Sequence, residues 1–330
     1  MKTIALLGAG SWGTAVAIHL AQAGHQVLLW GHNPQQIQTL AQERCNRAYL
    51  PEIIFPQSLI PTADLTACVE TADQVVIAVP SQFFSELLHK MPKPKNGLAW
   101  LTKGVDPQSH KLLSQIAAER FGKELPLAVI SGPSFAKEVA QALPTALTLA
   151  SLNPCYQSNL HDLFHHQNIR VYLSEDIIGV QLCGAVKNVL AIACGISDGL
   201  GYGANAKAAL ITRGLSEMTR LGLSLGSEHH TFLGLAGVGD LVVTCTDNQS
   251  RNRRFGLLLG QGVAISEAEK QIGQVVEGKH NVAQINCIAE QNQIEMPICK
   301  QVQLLLEGKT TPTKAVKNLM NRPARDEKLD

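Results

Sequence analysis

The sequence predicts a doubly wound α/β domain over residues 1–176, followed by an all-α domain over residues 177–330. Three observations carry that reading. A strand pattern, TIALL at residues 3 to 7, runs straight into Gly8-Ala9-Gly10-Ser11-Trp12-Gly13 and then a helical stretch to Gly24. Short apolar, β-branched runs continue to alternate with helical stretches as far as Leu173, the signature of a parallel sheet covered by helices. From Ser174 the alternation stops and helical periodicity takes over.

Composition bounds the rest. A chain of 330 residues exceeds one average domain, and with 45% hydrophobic and 17% charged residues it has ample material for packed cores. A net charge of +1 argues against general affinity for nucleic acid or an anionic membrane, and leaves room for a local basic pocket. The eight cysteines (45, 68, 155, 183, 194, 245, 287, 299) never form a C-x-x-C pair and read as buried thiols of a reducing cytosol. The opening MKTIALLGAGSWG meets glycines too early for a signal peptide, and no apolar run reaches membrane-spanning length without interruption. The expectation is a soluble, cytoplasmic protein. His161 and His165 stand at helical spacing, and His165-His166 and His229-His230 are doublets, but none accompanies the glutamate of a zinc-protease pattern. The histidines therefore read as surface residues, with no metal.

Taken in order, the first strand and its glycines form G-x-G-x-x-G in its proper setting, strand before and helix after. Gly8 permits the tight turn, Gly10 lets a pyrophosphate approach the backbone, and Gly13 lets helix and strand pack closely. The helix N-terminus offers free N–H groups to the phosphates. The domain is thus of the Rossmann type. QVLLW at 26 to 30 makes the second strand, and its end carries Gly31-His32-Asn33 where an acid commonly meets the ribose hydroxyls. With no carboxylate there, NADP(H) is admitted beside NAD(H); no arginine is present to grip a 2′-phosphate either. QVVIAV at 74 to 79, GLAWLT at 97 to 102 and LAVIS at 127 to 131 are further strands. They end in Pro80-Ser81, Lys103-Gly104 and Gly132-Pro133-Ser134, and ligands of such sheets gather at those carboxyl ends. Lys103 is accordingly a candidate for an anionic or carbonyl group. Thr145 to Ala150 and Ile169 to Leu173 complete the strand set.

In the helical half, a long apolar run from Ile177 carries a single charge, Lys187. Its helical neighbours Cys183, Gly184, Ala191, Cys194 and Gly195 are small, so the ammonium is expected along a shallow strip able to admit a ligand. The plain alternative is a lysine whose stem covers apolar surface while its head stays in water. Ala204 to Leu221 shows core-facing spacing at 208, 211, 215 and 218. Gly234 to Gly239 leads to Asp240, which reads as a helix N-cap free to face the cleft as well. DNQSRNRRF at 247 to 255 concentrates three arginines and two asparagines, either a solvated basic loop or a phosphate site built from Ser250, Arg251 and Asn252. Val275-Val276-Glu277-Gly278 precedes a helix from about Asn281 to Gln291, and the tail NRPARDEKLD is expected to fray.

Read together, GAGSWGTA at 8 to 15, SGPSFAKEV at 131 to 139, GAVKNVLAIACGISDGLGYGANAKAALITRGLSEM at 184 to 218, GLAGVGDLVVTCT at 234 to 246 and SRNRRFG at 250 to 256 closely resemble the bacterial NAD(P)-dependent sn-glycerol-3-phosphate dehydrogenases. The likeness runs in order over nearly the whole chain. It implies an enzyme that reduces dihydroxyacetone phosphate to sn-glycerol 3-phosphate for phospholipid synthesis, with a second domain like the C-terminal one of 6-phosphogluconate dehydrogenase. It also implies that Lys187 is the catalytic acid/base, and that Ser11, Trp12, His32 and Tyr49 line the dinucleotide while Ala136, Val275 and Glu277 close over it. By the same likeness Lys103 touches both ligands. Gly132, Ser134, Asp240, Ser250, Arg251 and Asn252 meet the substrate, and Arg251 reaches the cofactor too. His32 departs from family members that carry arginine there.

The residues suit that chemistry. A ketone gaining a hydride must also gain a proton, and partial burial together with the nearby Lys103 lowers the pKa of Lys187 toward that task. Two rivals are a β-hydroxyacid or ketopantoate type of reductase, with a comparably placed lysine and a carboxylate substrate, and a non-catalytic nucleotide sensor, which has no need of Lys187. Spare apolar surface in the helical half admits a homodimer.

Overall fold

Strands covered by helices on both faces can be apolar almost throughout, and TIALL and LAVIS are buried along nearly their whole length. The computed structural model describes residues 1–166 and 168–323. Their contacts divide into two units, one of Met1–Thr102 with Leu113–Ile177, the other of Lys103–Leu112 with the chain from Ile178 onward.

The first unit contains β1 Thr3–Leu7, β2 Gln26–Trp30, β3 Cys45–Asn46, β4 Leu50–Ile54, β5 Leu59–Thr62, β6 Gln74–Ile77, β7 Leu98–Trp100, β8 Leu127–Ser131, β9 Thr145–Ser151 and β10 Ile169–Ser174. Eight of them make one sheet in the order β10-β9-β8-β7-β6-β1-β2-β5, while β3 and β4 form a separate antiparallel pair. Every pairing in the large sheet is parallel except β8 with β9. Strand order reverses between β1 and β6, where Leu7 lies between Trp30 and Ile77, and a doubly wound sheet opens its ligand crevice at such a reversal. β6 and β7 are shorter than their sequence patterns, although Ala78 N still donates to Leu7 O and Leu101 N to Ile77 O. β5 and the β3–β4 pair are not anticipated by the sequence reading.

Two expectations need correction here. His19 is not a surface residue: it is buried, its Nε2 lies 3.1 Å from Phe164 O, and burial lowers its pKa. Cys155 is exposed and Cys287 half-buried, whereas the other six cysteines are buried free thiols.

The second unit is built on helices. Ile177–Gly199 has the length and apolar composition to cross a membrane, but 89% of its apolar window is buried inside the protein, so its surface is spent on the core. The glycines at the far end of its small-residue strip are closed by a second helix. Idealised Cβ atoms on Gly195 and Gly199 would fall 2.0 Å from Arg253 O and 2.3 Å from Leu257 O, and on Gly256 and Gly260 2.1 Å from Ile192 O and 2.4 Å from Ile196 O. Helices Ile177–Gly199 and Arg251–Gly260 thus meet backbone to backbone, which only glycines allow. In Ala204–Ser224 the carboxyl-terminal half is buried from Gly214 to Thr219, but Ala208 is exposed, so the predicted core face covers only part of the helix. The tail begins tied down, with Arg322 Nη2 2.9 Å from Glu295 Oε2; its fraying from residue 324 lies outside the described residues.

Glu217 shows how this unit handles a buried acid. Its carboxylate accepts from Ile298 N at 2.7 Å and Cys299 N at 3.3 Å, serving the first turn of helix Pro297–Leu306. Desolvation nevertheless outweighs those bonds and raises its pKa from 4.5 to about 7. The folded chain therefore keeps a proton that the unfolded chain releases over that interval. The resulting stabilisation is complete below the unfolded value and lost as pH rises through the folded one. Urea unfolding at pH 5 and pH 8 should show a loss on the order of a few kcal/mol that Glu217→Gln removes. Parallel pH profiles for the two proteins would contradict this.

Candidate active site

In the first unit, the candidate site starts at the end of β1. Gly8 has φ +132°, and a Cβ there would sit 2.7 Å from the Ala78 carbonyl, so the turn is closed to any side chain. A Cβ on Gly10 would meet nothing within 4 Å, which leaves open space at the N-terminus of helix Ser11–Gln22. No side chain caps that terminus, and its first-turn N–H groups are free for an anion. Trp12 Nε1 is buried without a hydrogen-bond partner. An open cradle, uncapped donors and an orphaned indole N–H fit the pyrophosphate and polar rim of a dinucleotide. Asn46, which the sequence reading missed, steadies the turn: its Nδ2 donates to Ala9 O at 3.2 Å and to Thr14 Oγ1 at 2.8 Å. Its signal is weak, since it lies in the unanticipated β3–β4 pair.

The other first-unit candidates occupy loops. His32 is exposed just beyond β2, and its neighbour Asn33 caps helix Pro34–Glu43. Tyr49 is half-buried between β3 and β4. Gly132, at φ +138°, and Ser134 follow β8, where Ser134 Oγ donates to Gly132 O at 2.8 Å. Ala136 opens the short helix Ala136–Ala140.

The second unit gathers Lys103, Lys187 and Asp240. Lys187 is 5% exposed, so the shallow, half-open setting expected for it is not found. Its Nζ donates to Asp240 Oδ1 and, at 3.0 Å, to Thr244 Oγ1. Lys103 Nζ donates to the other oxygen, Asp240 Oδ2, at 2.7 Å. Asp240 is not an N-cap. It is the first residue of helix Asp240–Thr246, follows the π turn Leu235–Gly239, and spends its carboxylate on the two lysines. Burial raises its pKa, yet Lys103 and then Lys187 outweigh that and hold the carboxyl below its ordinary value. Desolvation brings Lys187 down from 10.5 to about 7, with Asp240 opposing and Lys103 reinforcing the shift. Thr244, one helical turn beyond Asp240, was legible only as a spacing.

The Arg-Asn cluster is not a solvated loop. Ser250 caps helix Arg251–Gly260 by accepting from Arg253 N at 3.2 Å. Asn252 Nδ2 donates to Asn188 Oδ1 at 3.0 Å, and Asn252 Oδ1 accepts from Gly278 N at 2.9 Å. Asn188, next to Lys187, donates to Glu277 Oε2 at 3.1 Å. Helix Glu277–Gln291 begins four residues before the expected Asn281, which puts Glu277 in its first turn. The half-buried Glu277 is raised by desolvation, with Arg251 the largest opposing influence. Val275, half-buried, precedes that helix. Arg251 Nη1 donates to Gln274 Oε1 at 3.3 Å. Arg253 points elsewhere and pairs with Asp198 on the Lys187 helix, joined by Lys207 Nζ at 3.0 Å from Asp198 Oδ2. Among the described residues no three His, Cys, Asp or Glu side chains converge as a metal would need.

Comparison with known proteins agrees with this geometry. Residues 3–156 match the family model described as NAD-dependent glycerol-3-phosphate dehydrogenase N-terminus, and residues 176–317 match its C-terminus counterpart. A glycerol-3-phosphate dehydrogenase [NAD(P)+] of Legionella pneumophila (strain Paris) is 71% identical over 326 residues, 99% of each chain. One of Yersinia pestis (strain Pestoides F) is 50% identical over 331 residues, 99% of this chain and 98% of that one. The crystal structure of glycerol-3-phosphate dehydrogenase from Coxiella burnetii superposes with a TM-score of 0.94 at 48% identity, covering 97% of this chain and 99% of that one.

Proposed function

This chain belongs to the NAD-dependent glycerol-3-phosphate dehydrogenase family, and from that premise we propose how its residues reduce dihydroxyacetone phosphate to sn-glycerol 3-phosphate. The observation that carries the reading is the buried Lys187, tied to Asp240 and brought to a pKa of about 7. We assign residues 1–176 to dinucleotide binding and residues 177–330 to substrate and catalysis, with Lys103 serving the second group.

When bound, NAD(P)H supplies a hydride to the C2 carbonyl carbon of the ketone. Gly8, Gly10, Ser11, Trp12, Gly13, His32, Tyr49 and Ala136 of the first unit and Val275 and Glu277 of the second are the residues that would hold the cofactor. Lys187 gives its Nζ proton to the carbonyl oxygen as that oxygen becomes an alcohol. Lys103 polarises the same oxygen or a neighbouring hydroxyl. Asp240 keeps both amines aimed, and its charge retains the proton on Lys187 until the substrate oxygen takes it. Gly132 and Ser134 border the substrate. Arg251, Asn252 and Ser250 receive the phosphate, for which a guanidinium and a helix N-terminus are matched donors.

A small oxo-acid reductase, the second reading, is not favoured, since full-length relatives at 71% and 50% identity carry the phosphate-ester name. The proposal extends to a cytoplasmic enzyme supplying glycerol 3-phosphate for phospholipid synthesis, acting on a small molecule without nucleic acid or membrane, and able to form a homodimer. The decisive assay follows loss of NADH or NADPH absorbance with dihydroxyacetone phosphate and, separately, with small 2-oxo acids. Turnover is expected with the phosphorylated ketone and either cofactor. A preference for an oxo acid would overturn the assignment.

A further inference from the structure

The helical unit contains a cavity of about 770 Å³ that the reduction does not use, lined by apolar side chains including Leu210, Val302, Leu305 and Leu319. It opens beside the exposed amino-terminal part of helix Ala204–Ser224, and its size is that of a pocket for one elongated small molecule. Polar side chains interrupt the apolar lining: Ser197, Tyr202, Arg213, Glu217, Arg220, Gln301 and Arg322, the last paired with Glu295. Arg213 is exposed and has no hydrogen bond or ion pair among the described residues. Arg220, a second lining guanidinium, donates to Glu295 O at 3.0 Å. Ser197 is 2% exposed, and its hydroxyl has no partner. The one acid in the lining, Glu217, is occupied by the backbone N–H groups of Ile298 and Cys299. The charge left to a ligand is therefore positive, on an otherwise apolar wall.

We propose that this cavity binds a single-chain anionic amphiphile, with its hydrocarbon chain along the apolar lining and its carboxylate on Arg213. The alkyl chain would gain from leaving water in proportion to the apolar area it covers, and the guanidinium would select an anionic head. A cationic head would meet Arg213 and Arg220 and be repelled. This proposal is independent of the catalytic assignment, because its test is a binding measurement that involves no turnover.

The experiment is calorimetric titration of the full chain with dodecanoate below its micellar concentration, with dodecyltrimethylammonium as the control. One saturable site is expected for dodecanoate and none for the cation. Arg213→Glu should weaken dodecanoate by about tenfold or more, the loss of one charge-assisted contact, and leave basal reductase activity unchanged. Ala209→Trp, which fills the cavity from an exposed helical position, should weaken it as well. Equal binding by wild type and both variants, or no saturable binding at all, would overturn the proposal. So would sedimentation showing a dimer that Ala209→Trp dissociates and dodecanoate leaves intact, since a second copy would then be the occupant.

Discussion

Lys187→Ala keeps its cofactor affinity and loses about 10²- to 10⁴-fold in turnover, the range contributed by one positioned acid. The fold should survive, because Asp240 retains the ion pair with Lys103 when the other amine is removed. Fluorescence titration with NADH and a thermal melt check those two points, and steady-state kcat checks the loss. The pH profile gives a second readout. With Lys187 near 7, the fraction able to donate a proton falls as pH rises above that value, so the rate of ketone reduction declines on the alkaline side. The reverse oxidation needs the free amine and rises across the same interval. A variant that retains normal turnover, or a wild-type profile with no alkaline decline in reduction, removes Lys187 from the proton-transfer role.

Arg251→Ala should raise KM for dihydroxyacetone phosphate about 10- to 100-fold at saturating cofactor, the effect of one lost charge-assisted contact. Dihydroxyacetone, which lacks the phosphate, should be turned over as poorly by the variant as by the parent. The comparison with Arg253→Ala separates two arginines that stand two residues apart in the sequence. Arg253 is buried and paired with Asp198, so its loss should lower the melting temperature. Equal effects of Arg251→Ala on the two substrates would remove the phosphate clamp.

The parts legible in the sequence are those whose signal is local. The glycine turn, its flanking strand and helix, and the switch to helices after Ser174 need only neighbouring residues to be recognised. β5 reads LIPT, four residues with a proline, and β3 has two residues, so neither has a pattern long enough to stand out. Lys187 and Asp240 were each picked out, but their ion pair joins residues 53 apart, and no periodicity carries that information. The small residues beside Lys187 carry two meanings. A strip of glycines marks close approach, and sequence alone does not say whether a ligand or another helix approaches. Here Gly195 and Gly199 meet the helix that carries Arg251 and Asn252. Glu277 was named through resemblance, while its partner Asn188 stood beside the lysine without a local mark of its role.

That glycine seam also has a bearing on which ketones the enzyme accepts. Two helices in backbone contact, pinned again by Asp198 and Arg253, cannot spread apart without breaking the contact, so the span from the Lys187 amine to the Arg251 end of its partner is set when the chain folds. On the proposed assignment of Lys187 to the carbonyl and Arg251 to the phosphate, that fixed span acts as a ruler. On that assignment a homologue one carbon longer between carbonyl and phosphate is expected to leave one end off its mark, so that selection by length would come from main-chain packing away from the reacting atoms.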